Sequence, residues 1–154
     1  MKNIGVIGLG DMGSGIALNL IKNGFKVFGS DLLPARQQAF KNMGGSLEIS
    51  IADIGKKCDA VFVMVMNGSQ AKSIIFDEDG LARNMEAGST VILSATIKPS
   101  EAEEIGHLIK DTGLQFIDTP VSGGFPGAQS GTLTLMASAS EDVMNKNRDV
   151  LEAI

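Results

Sequence analysis

The sequence predicts a doubly wound α/β fold, with a mostly parallel sheet and helices on both of its faces. Short apolar runs rich in β-branched residues alternate with amphipathic stretches along the chain, and strands joined by crossover helices produce this alternation. The run 60–66 is apolar at every position, as expected for a central strand that is covered on both faces. No linker or internal repeat interrupts the 154 residues, so we expect one domain over residues 1–154.

The individual elements follow from the same patterns in chain order. Strands are predicted at residues 3–7, 25–30, 60–66, 90–93 and 114–117, where apolar and β-branched residues cluster. Met12, Ile16 and Leu20 recur at helical spacing before Gly24, which predicts a helix between the first two strands. A further helix is predicted at 99–110, because Pro99 opens it and a glycine follows its end.

The pattern changes after residue 118. Residues 119–130 are dense in Pro, Gly and Ser and are predicted to form a loop, and residues 132–137 resume as a strand. From Glu141 onward, apolar residues at 143, 144, 150, 151 and 154 predict a last helix. No glycine, proline or polar tail closes that helix, so we expect the natural protein to continue beyond Ile154.

Composition and charge argue against two classes of partner. The formal net charge is -5 and the pI is near 4.8, which would repel a nucleic-acid backbone, so we expect no nucleic-acid partner. The longest apolar run has seven residues, against roughly 20 for a membrane-spanning helix. The N-terminus has no charged leader, and we expect a cytoplasmic protein without a membrane partner.

Two side chains that react in other proteins are given no role here. Cys58 is the single cysteine, which excludes an internal disulfide and a multi-cysteine metal site, and we interpret it as a small buried residue. His107 lies beside Glu103 and Glu104 on the predicted helix 99–110. Nothing in the sequence brings it near the glycine-rich loop described next, so we interpret it as a surface residue.

The six residues after the first strand match the pattern G-x-G-x-x-G, and the flanking strand and helix give that pattern its meaning. The first glycine would permit a tight turn, the second would let the backbone approach a pyrophosphate, and the third would allow close packing of helix on strand. The helix N-terminus would face the phosphates with unpaired N–H groups. The sequence therefore predicts a Rossmann-type unit whose cofactor contacts include Gly8, Leu9, Gly10, Asp11, Met12 and Gly13.

Asp31 lies eighteen residues beyond Gly13, at the end of the predicted second strand. A carboxylate at this place can accept hydrogen bonds from the adenosine ribose. It would repel a 2′-phosphate, so NAD is predicted as the cofactor in preference to NADP. Arg36, five residues on, is the nearby basic residue that would weaken this preference.

Two blocks of the sequence resemble the β-hydroxyacid dehydrogenase family, the relatives of 3-hydroxyisobutyrate dehydrogenase and tartronate semialdehyde reductase. Residues 8–31 read GLGDMGSGIALNLIKNGFKVFGSD, like the family's opening, and residues 118–133 read DTPVSGGFPGAQSGTL, like its substrate-binding segment. The resemblance implies that Ser122, Gly123 and Gly124 hold the substrate carboxylate. A hydroxyl beside backbone N–H groups suits an anion.

The resemblance also implies cofactor contacts after two later strands. Met64 and Val65 would lie near the cofactor, and Thr96 would lie beside the nicotinamide ribose. Met66 stands where the family usually has proline. That departure and the stretch TLMASAS at 134–140 are similar to the threonate-type branch of the family.

The function implied by the resemblance is hydride transfer between NAD(H) and a small 3-hydroxy acid of the 3-hydroxyisobutyrate, tartronate semialdehyde/glycerate or threonate type. The family's catalytic lysine would lie beyond Ile154, so no catalytic residue is expected within this chain. The family's C-terminal all-helical domain is expected to be absent as well. We expect the isolated chain to bind dinucleotide without turnover, and the full-length protein to form a homo-oligomer.

Two alternatives stay open at this point. A non-catalytic NAD-sensing module would share the glycine loop and the acidic residue, but it would not require Ser122, Gly123 and Gly124. A 6-phosphogluconate dehydrogenase-like enzyme would have a similar Ser-Gly-Gly turn. Against the second alternative, Asp31 disfavours NADP, and Phe125-Pro126 replaces an expected acidic pair.

Overall fold

A parallel sheet forms the centre of the molecule. The computed structural model describes residues 2–94, 97–122, 124–135 and 137–154. The six strands of the sheet lie in the order β3-β2-β1-β4-β5-β6, and each neighbouring pair is parallel. In chain order they are β1 (Asn3–Ile7), β2 (Lys26–Ser30), β3 (Ser46–Leu47), β4 (Ala60–Val63), β5 (Thr90–Leu93) and β6 (Gln115–Asp118). The predicted Rossmann-type α/β fold is confirmed.

Helices connect the strands and cover the sheet. They are α1 (Asp11–Lys22), α2 (Pro34–Asn42), α3 (Ile51–Lys57), α4 (Gly68–Phe76), α5 (Leu81–Asn84), α6 (Pro99–Ile109), α7 (Gly124–Ser130), α8 (Glu141–Lys146) and α9 (Arg148–Glu152). Two short strands, β7 (Val121–Ser122) and β8 (Thr134–Leu135), form a separate antiparallel pair. Within the described residues, none of the helices has both the length and the hydropathy needed to span a bilayer.

The core consists of two apolar layers, one on each face of the sheet. Along β4, Phe62 packs into the layer that contains α1 and α9, while Val61 and Val63 pack into the layer that contains α3, α4 and α6. All three side chains are completely buried, and each contributes roughly 1.5–3 kcal/mol relative to an exposed side chain. Alternate residues of one strand therefore serve both layers, which explains the uninterrupted apolar run in the sequence.

The direction in which successive strands are added to the sheet reverses between β1 and β4. After β1 the chain runs outward to β2 and β3, and then it crosses back to β4, which pairs with the other side of β1. The loops after β1 and β4 consequently diverge above neighbouring strands. In doubly wound folds such a reversal opens the crevice in which ligands bind.

Four predicted elements differ from the structure. The run 60–66 is a strand only to Val63, and the chain leaves the sheet after Met64, whose N–H still donates to the Ile7 carbonyl. The predicted loop 119–130 contains helix α7, whose packing against α1 was not visible in the sequence. The predicted strand 132–137 is reduced to β8.

The predicted last helix is divided into α8 and α9 at Asn147. The side chain of Asn147 is buried, and its amide donates to Thr90 Oγ1 at 3.1 Å and to the Val143 carbonyl at 2.9 Å. A buried amide needs such partners. The break therefore anchors the end of the chain to β5.

Candidate functional site: the glycine loop

The predicted glycine loop lines a cavity at the carboxyl edge of the sheet. The cavity has a volume of about 290 Å³ and lies where the loops after β1 and β4 diverge. Its described lining comes from the glycine loop, from α2 and from the ends of β4 and β5: Gly8, Gly10, Asp11, Met12, Gly13, Arg36, Met64, Val65, Met66 and Ser94. Most of the predicted cofactor contacts are thus brought together in one place.

The three glycines of the loop have different surroundings. Gly8 has φ +94°, and a Cβ there would lie 2.0 Å from the carbonyl oxygen of Met64. A Cβ at Gly13 would lie 1.8 Å from the carbonyl oxygen of Gly8. At Gly10 a Cβ would meet only the tip of Arg36, at 3.6 Å. The fold itself requires the first and third glycines, whereas a Cβ at the second would make ordinary van der Waals contact with the Arg36 side chain.

Helix α1 begins directly after Gly10 and directs its N-terminus at this cavity. The first backbone hydrogen bond of the helix joins the Ser14 N–H to the Gly10 carbonyl at 2.8 Å. The amides of Asp11, Met12 and Gly13 precede that bond, so the helix provides them with no acceptor. Backbone donors at the positive end of the helix dipole suit a phosphate.

The Asp31 carboxylate contacts the glycine loop from the end of β2. Its Oδ2 accepts a hydrogen bond from the Leu9 N–H at 2.8 Å, and its Oδ1 accepts one from the Leu33 N–H at 2.9 Å. The side chain is only 7% exposed, and the Arg36 guanidinium lies 3.6 Å from Oδ2. Asp31 therefore shapes the loop itself, a role that its place in the sequence did not reveal.

The segment after β4 forms the opposite wall of the cavity. The Met64 N–H donates to the Ile7 carbonyl at 2.9 Å, which continues the sheet pairing by one residue. Met66 is 87% exposed, and its N–H donates to the Gln70 side chain at 2.9 Å. The Asn67 side chain in turn accepts from the Gln70 N–H. These two bonds fix the start of α4 and hold Met64 and Val65 against the glycine loop.

Two buried hydroxyls follow the next strands along this edge of the sheet. Ser94 comes after β5 and lines the cavity, and Thr119 comes after β6. Both are almost completely buried, and within the described residues neither side-chain oxygen has a hydrogen-bond partner. A buried hydroxyl without a partner is costly. Ser94 is thus positioned to bond a polar ligand in the cavity, although our sequence analysis gave it no role.

The predicted substrate segment is described in part. Ser122 ends β7 and Gly124 begins α7, while Gly123 and the predicted nicotinamide contact Thr96 lie outside the described residues. Helix α7 packs on α1, the helix that begins at the glycine loop. The structure therefore connects the two predicted binding segments through this pair of helices.

The contact between α1 and α7 is close and polar. The amide of the buried Asn19 donates to the Ala128 carbonyl at 2.6 Å and to the Gly15 carbonyl at 2.9 Å. A Cβ at Gly15 would lie 2.6 Å from the backbone of Ala128. The sequence did not predict this contact, although Gly15 and Asn19 lie one helical turn apart, a spacing at which residues share one face of a helix.

Comparisons with known proteins support the cofactor class suggested by this geometry. A family model described as the NAD binding domain of 6-phosphogluconate dehydrogenase matches residues 3–154. The chain belongs to this family.

Relatives of this NAD-binding domain include an L-threonate dehydrogenase of Cupriavidus necator. It is 42% identical over 99% of the chain and 52% of its own length. A NAD-dependent L-serine dehydrogenase of Pseudomonas aeruginosa is 34% identical over the whole chain and 52% of its own length. The resemblance to the β-hydroxyacid dehydrogenases is confirmed. The chain spans about half the length of these curated relatives.

A solved structure of similar fold is the 3-hydroxyisobutyrate dehydrogenase from Salmonella typhimurium. It superposes with a TM-score of 0.93 at 34% identity and covers 100% of the chain and 54% of its own. The similarity extends over β1 to α9, so the NAD-binding domain resembles that enzyme in its sheet and in the later elements β7, β8 and α7.

The two residues given no role lie away from the glycine loop of the NAD-binding domain. Burial raises the pKa of the Cys58 thiol to about 12, which leaves it protonated at neutral pH. The interpretation of Cys58 as a buried structural residue is confirmed. His107 is exposed on α6, outside the glycine-loop cavity. In the described ranges, no three His, Cys, Asp or Glu side chains are grouped so that they could hold a metal ion.

Proposed function

We propose that this domain binds NAD(H) in the glycine-loop cavity and serves an oxidoreductase that acts on a small 3-hydroxy acid. The observation that carries the proposal is the set of helix amides at residues 11–13, which lie at the cavity beside Gly10 at the reversal point of the sheet. Backbone donors at such a point suit a pyrophosphate. When bound, the nicotinamide supplies the hydride chemistry, and the protein supplies its position.

Several residues of the site have a role in this proposal. Gly10 admits the pyrophosphate, and the amides of α1 bind it. Asp31 bonds the adenosine ribose with the acceptor sites that its bonds to Leu9 and Leu33 leave unused. Met64 and Val65 pack against the cofactor, and Ser94 donates or accepts a hydrogen bond deeper in the cavity. Thr96 belongs to the same proposal as a contact of the nicotinamide ribose.

The preference for NAD over NADP rests on Asp31 in this proposal. Its carboxylate is buried against the loop and would lie next to the 2′-position of the ribose, where it would repel a phosphate. The NAD-dependent L-serine dehydrogenase at 34% identity supports the assignment.

The substrate assignment rests on the segment between β7 and α7. Ser122, Gly123 and Gly124 would bind the carboxylate of the hydroxyacid, and the contact of α7 with α1 would hold that segment beside the cofactor. The L-threonate dehydrogenase at 42% identity favours a threonate-type substrate. Proton transfer at the substrate hydroxyl is assigned to a lysine elsewhere in a longer, homo-oligomeric protein, so the 154-residue chain binds the cofactor without turnover.

The decisive experiment is calorimetric titration of the chain with NADH, comparing wild type with Gly10→Ala. A Cβ at this position has room within the protein but obstructs the approach of the pyrophosphate. We expect the substitution to raise the Kd roughly tenfold or more, as for overpacking that costs about 1–3 kcal/mol. Gly106→Ala on α6, where a Cβ also has ordinary room, is the control and should leave the Kd unchanged.

Absence of NADH binding by the folded wild-type chain would refute the proposed cofactor site. The hydroxyacid assignment is tested separately with Ser122→Ala in a longer protein that carries this domain. A dehydrogenase should lose turnover with little change in NADH affinity, whereas an NAD-sensing module should show no effect.

The family description favours a second candidate, a 6-phosphogluconate dehydrogenase-like activity. The two candidates differ in the charge of the substrate, because 6-phosphogluconate carries a phosphate and L-threonate does not. Oxidation of 6-phosphogluconate but not of L-threonate by the longer protein would select the second candidate.

A further inference from the structure

Glu101 joins the N-terminal ends of two helices at the carboxyl edge of the sheet. It lies in the first turn of α6, and its Oε2 accepts a hydrogen bond from the Lys98 N–H at 3.2 Å. The Glu101 N–H donates in return to the Lys98 carbonyl at 3.0 Å. This reciprocal pair fixes the point at which the chain leaves the loop after β5 and enters α6.

The same carboxylate packs on the first residue of α4. Gly68 begins that helix and is buried, and a Cβ there would lie 2.7 Å from the carboxyl carbon and from Oε2 of Glu101. The Glu101 side chain therefore occupies the space that a side chain at residue 68 would take. Its negative charge lies at the positive ends of two helix dipoles, those of α4 and α6, where it is favourable.

The two helices that meet at Glu101 follow loops that form one side of the glycine-loop cavity. The loop after β4 supplies Met64 and Val65, and the loop after β5 begins with Ser94. In the sheet, β4 and β5 lie on one side of β1, and β2 lies on the other. A dinucleotide with its pyrophosphate at the glycine loop and its adenosine at β2 would therefore direct its nicotinamide half towards β4 and β5.

We propose that Glu101 is a positioning residue, which holds the loops after β4 and β5 together so that they fit the nicotinamide half of the cofactor. The inference rests on the proposed function, which places the dinucleotide in this cavity. A shift of α4 would withdraw Gly68 from the carboxylate, and a shift of α6 would withdraw the Lys98 amide, so neither loop moves alone. Loss of this joint should weaken the binding of the part of the ligand that the two loops contact, because these loops would no longer be preorganised.

The experiment measures the Kd of NADH and of ADP by calorimetry for wild type, Glu101→Ala and Glu101→Gln. ADP has the adenosine and the pyrophosphate but lacks the nicotinamide half. We expect Glu101→Ala to raise the Kd of NADH about three- to tenfold, as for loss of one hydrogen bond, and that of ADP less than about twofold. Glu101→Gln keeps an acceptor for the Lys98 amide and should recover part of the NADH affinity.

Gly68→Ala tests the same joint from the other helix. The atoms nearest to a Cβ at this position belong to the Glu101 side chain, so the substitution displaces the carboxylate without a collision between backbones. We expect the same selective rise in the Kd of NADH. Glu101→Ala combined with Gly68→Ala should show no more than the larger of the two single effects, because both substitutions remove one shared contact.

Glu104→Ala is the matched control. Glu104 lies one turn farther along α6 and also bridges to α4, through an ion pair with Lys72 at 2.6 Å. Both of these side chains are substantially exposed, and such surface pairs contribute little. The Kd values of NADH and ADP should stay at the wild-type values, and circular dichroism should show that each variant is folded.

Three results would overturn the inference while leaving the proposed function intact. They are an equal loss of affinity for NADH and ADP in Glu101→Ala, an unchanged Kd of NADH in folded Glu101→Ala or Gly68→Ala, and the same selective loss in Glu104→Ala. If folded wild-type protein does not bind NADH, the proposed function fails, and this inference fails with it.

Discussion

At the scale of single residues, two aspartates at the ends of strands differ in the surroundings of their carboxylates. Asp31 follows β2, and backbone amides bond both of its carboxylate oxygens. Asp118 ends β6, where its backbone pairs with Ser138, and burial raises the pKa of its carboxyl group. One carboxylate is bound within the loop that it shapes, whereas the other is partly removed from water, which disfavours its ionised form.

Replacing Asp118 with asparagine should stabilise the domain at neutral pH. The pKa of Asp118 is higher in the folded than in the unfolded chain. The contribution of its carboxyl group to the free energy of unfolding is therefore most favourable below the unfolded pKa of 3.8, and it is lost as the pH rises through the folded pKa. Asp118→Asn should therefore unfold at higher urea than wild type at pH 7. The difference should shrink towards pH 3, where the wild-type carboxyl group is protonated.

Asp111→Asn, in the exposed turn that follows α6, is the control for this measurement. Its unfolding free energy should differ from wild type by less than about 0.5 kcal/mol. If Asp118→Asn is less stable than wild type at pH 7, the carboxylate makes a favourable contact that outweighs the free-energy cost of its burial.

At the scale of elements, the contact between α1 and α7 joins the glycine loop to the predicted substrate segment. Asn19 is buried in the contact and donates to carbonyls of both helices. Gly15 brings the helices so close that a Cβ would overlap the backbone of Ala128. Helix α7 is only seven residues long, so tertiary packing must stabilise it, since isolated helices of that length are unstable in water.

We predict that Asn19→Leu destabilises the domain by about 1–3 kcal/mol, because the Ala128 carbonyl loses its donor in a buried place. Urea unfolding of the 154-residue chain measures the effect. In hydrogen exchange, the variant should lose more protection relative to wild type in α7 than in β4. Asn42→Leu, at the exposed end of α2, should cost less than about 0.5 kcal/mol. Equal costs for the two substitutions would contradict the role given to Asn19.

At the scale of the whole molecule, the sheet order creates the site. Residues that are distant in the sequence line the cavity because β1 pairs with β2 on one side and with β4 on the other. A dinucleotide spanning the crevice would contact the ends of β2, β1 and β4 at once. Its binding should therefore stabilise the folded domain as a unit.

We predict that NADH at a hundredfold excess over its Kd raises the thermal midpoint by on the order of 5–10 °C, since binding then adds about 2.7 kcal/mol of stability. Scanning calorimetry measures the shift. Reduced nicotinamide mononucleotide is the control ligand. It lacks the adenosine that would contact the end of β2, so it should give a clearly smaller shift at the same concentration. Equal shifts would show that the adenosine half makes no contact of its own.

The sequence by itself determined the class of fold, the central strands and the position of the glycine loop. These features depend on local patterns: continuous apolar residues at 60–63, helical spacing after Met12, and the G-x-G-x-x-G spacing of residues 8–13. Such constraints act between residues that are close in the chain or on one strand, so periodicity and residue type reveal them.

Only the tertiary structure decided how those parts are combined. The bond from the Leu9 amide to Asp31, the contact of Asn19 with Ala128 and the position of Arg36 over Gly10 all join segments that are distant in sequence. Helix α7 formed where turn-forming residues predicted a loop. The physical reason is that burial and hydrogen bonding across elements outweigh local propensity, and a single sequence does not record which distant groups meet.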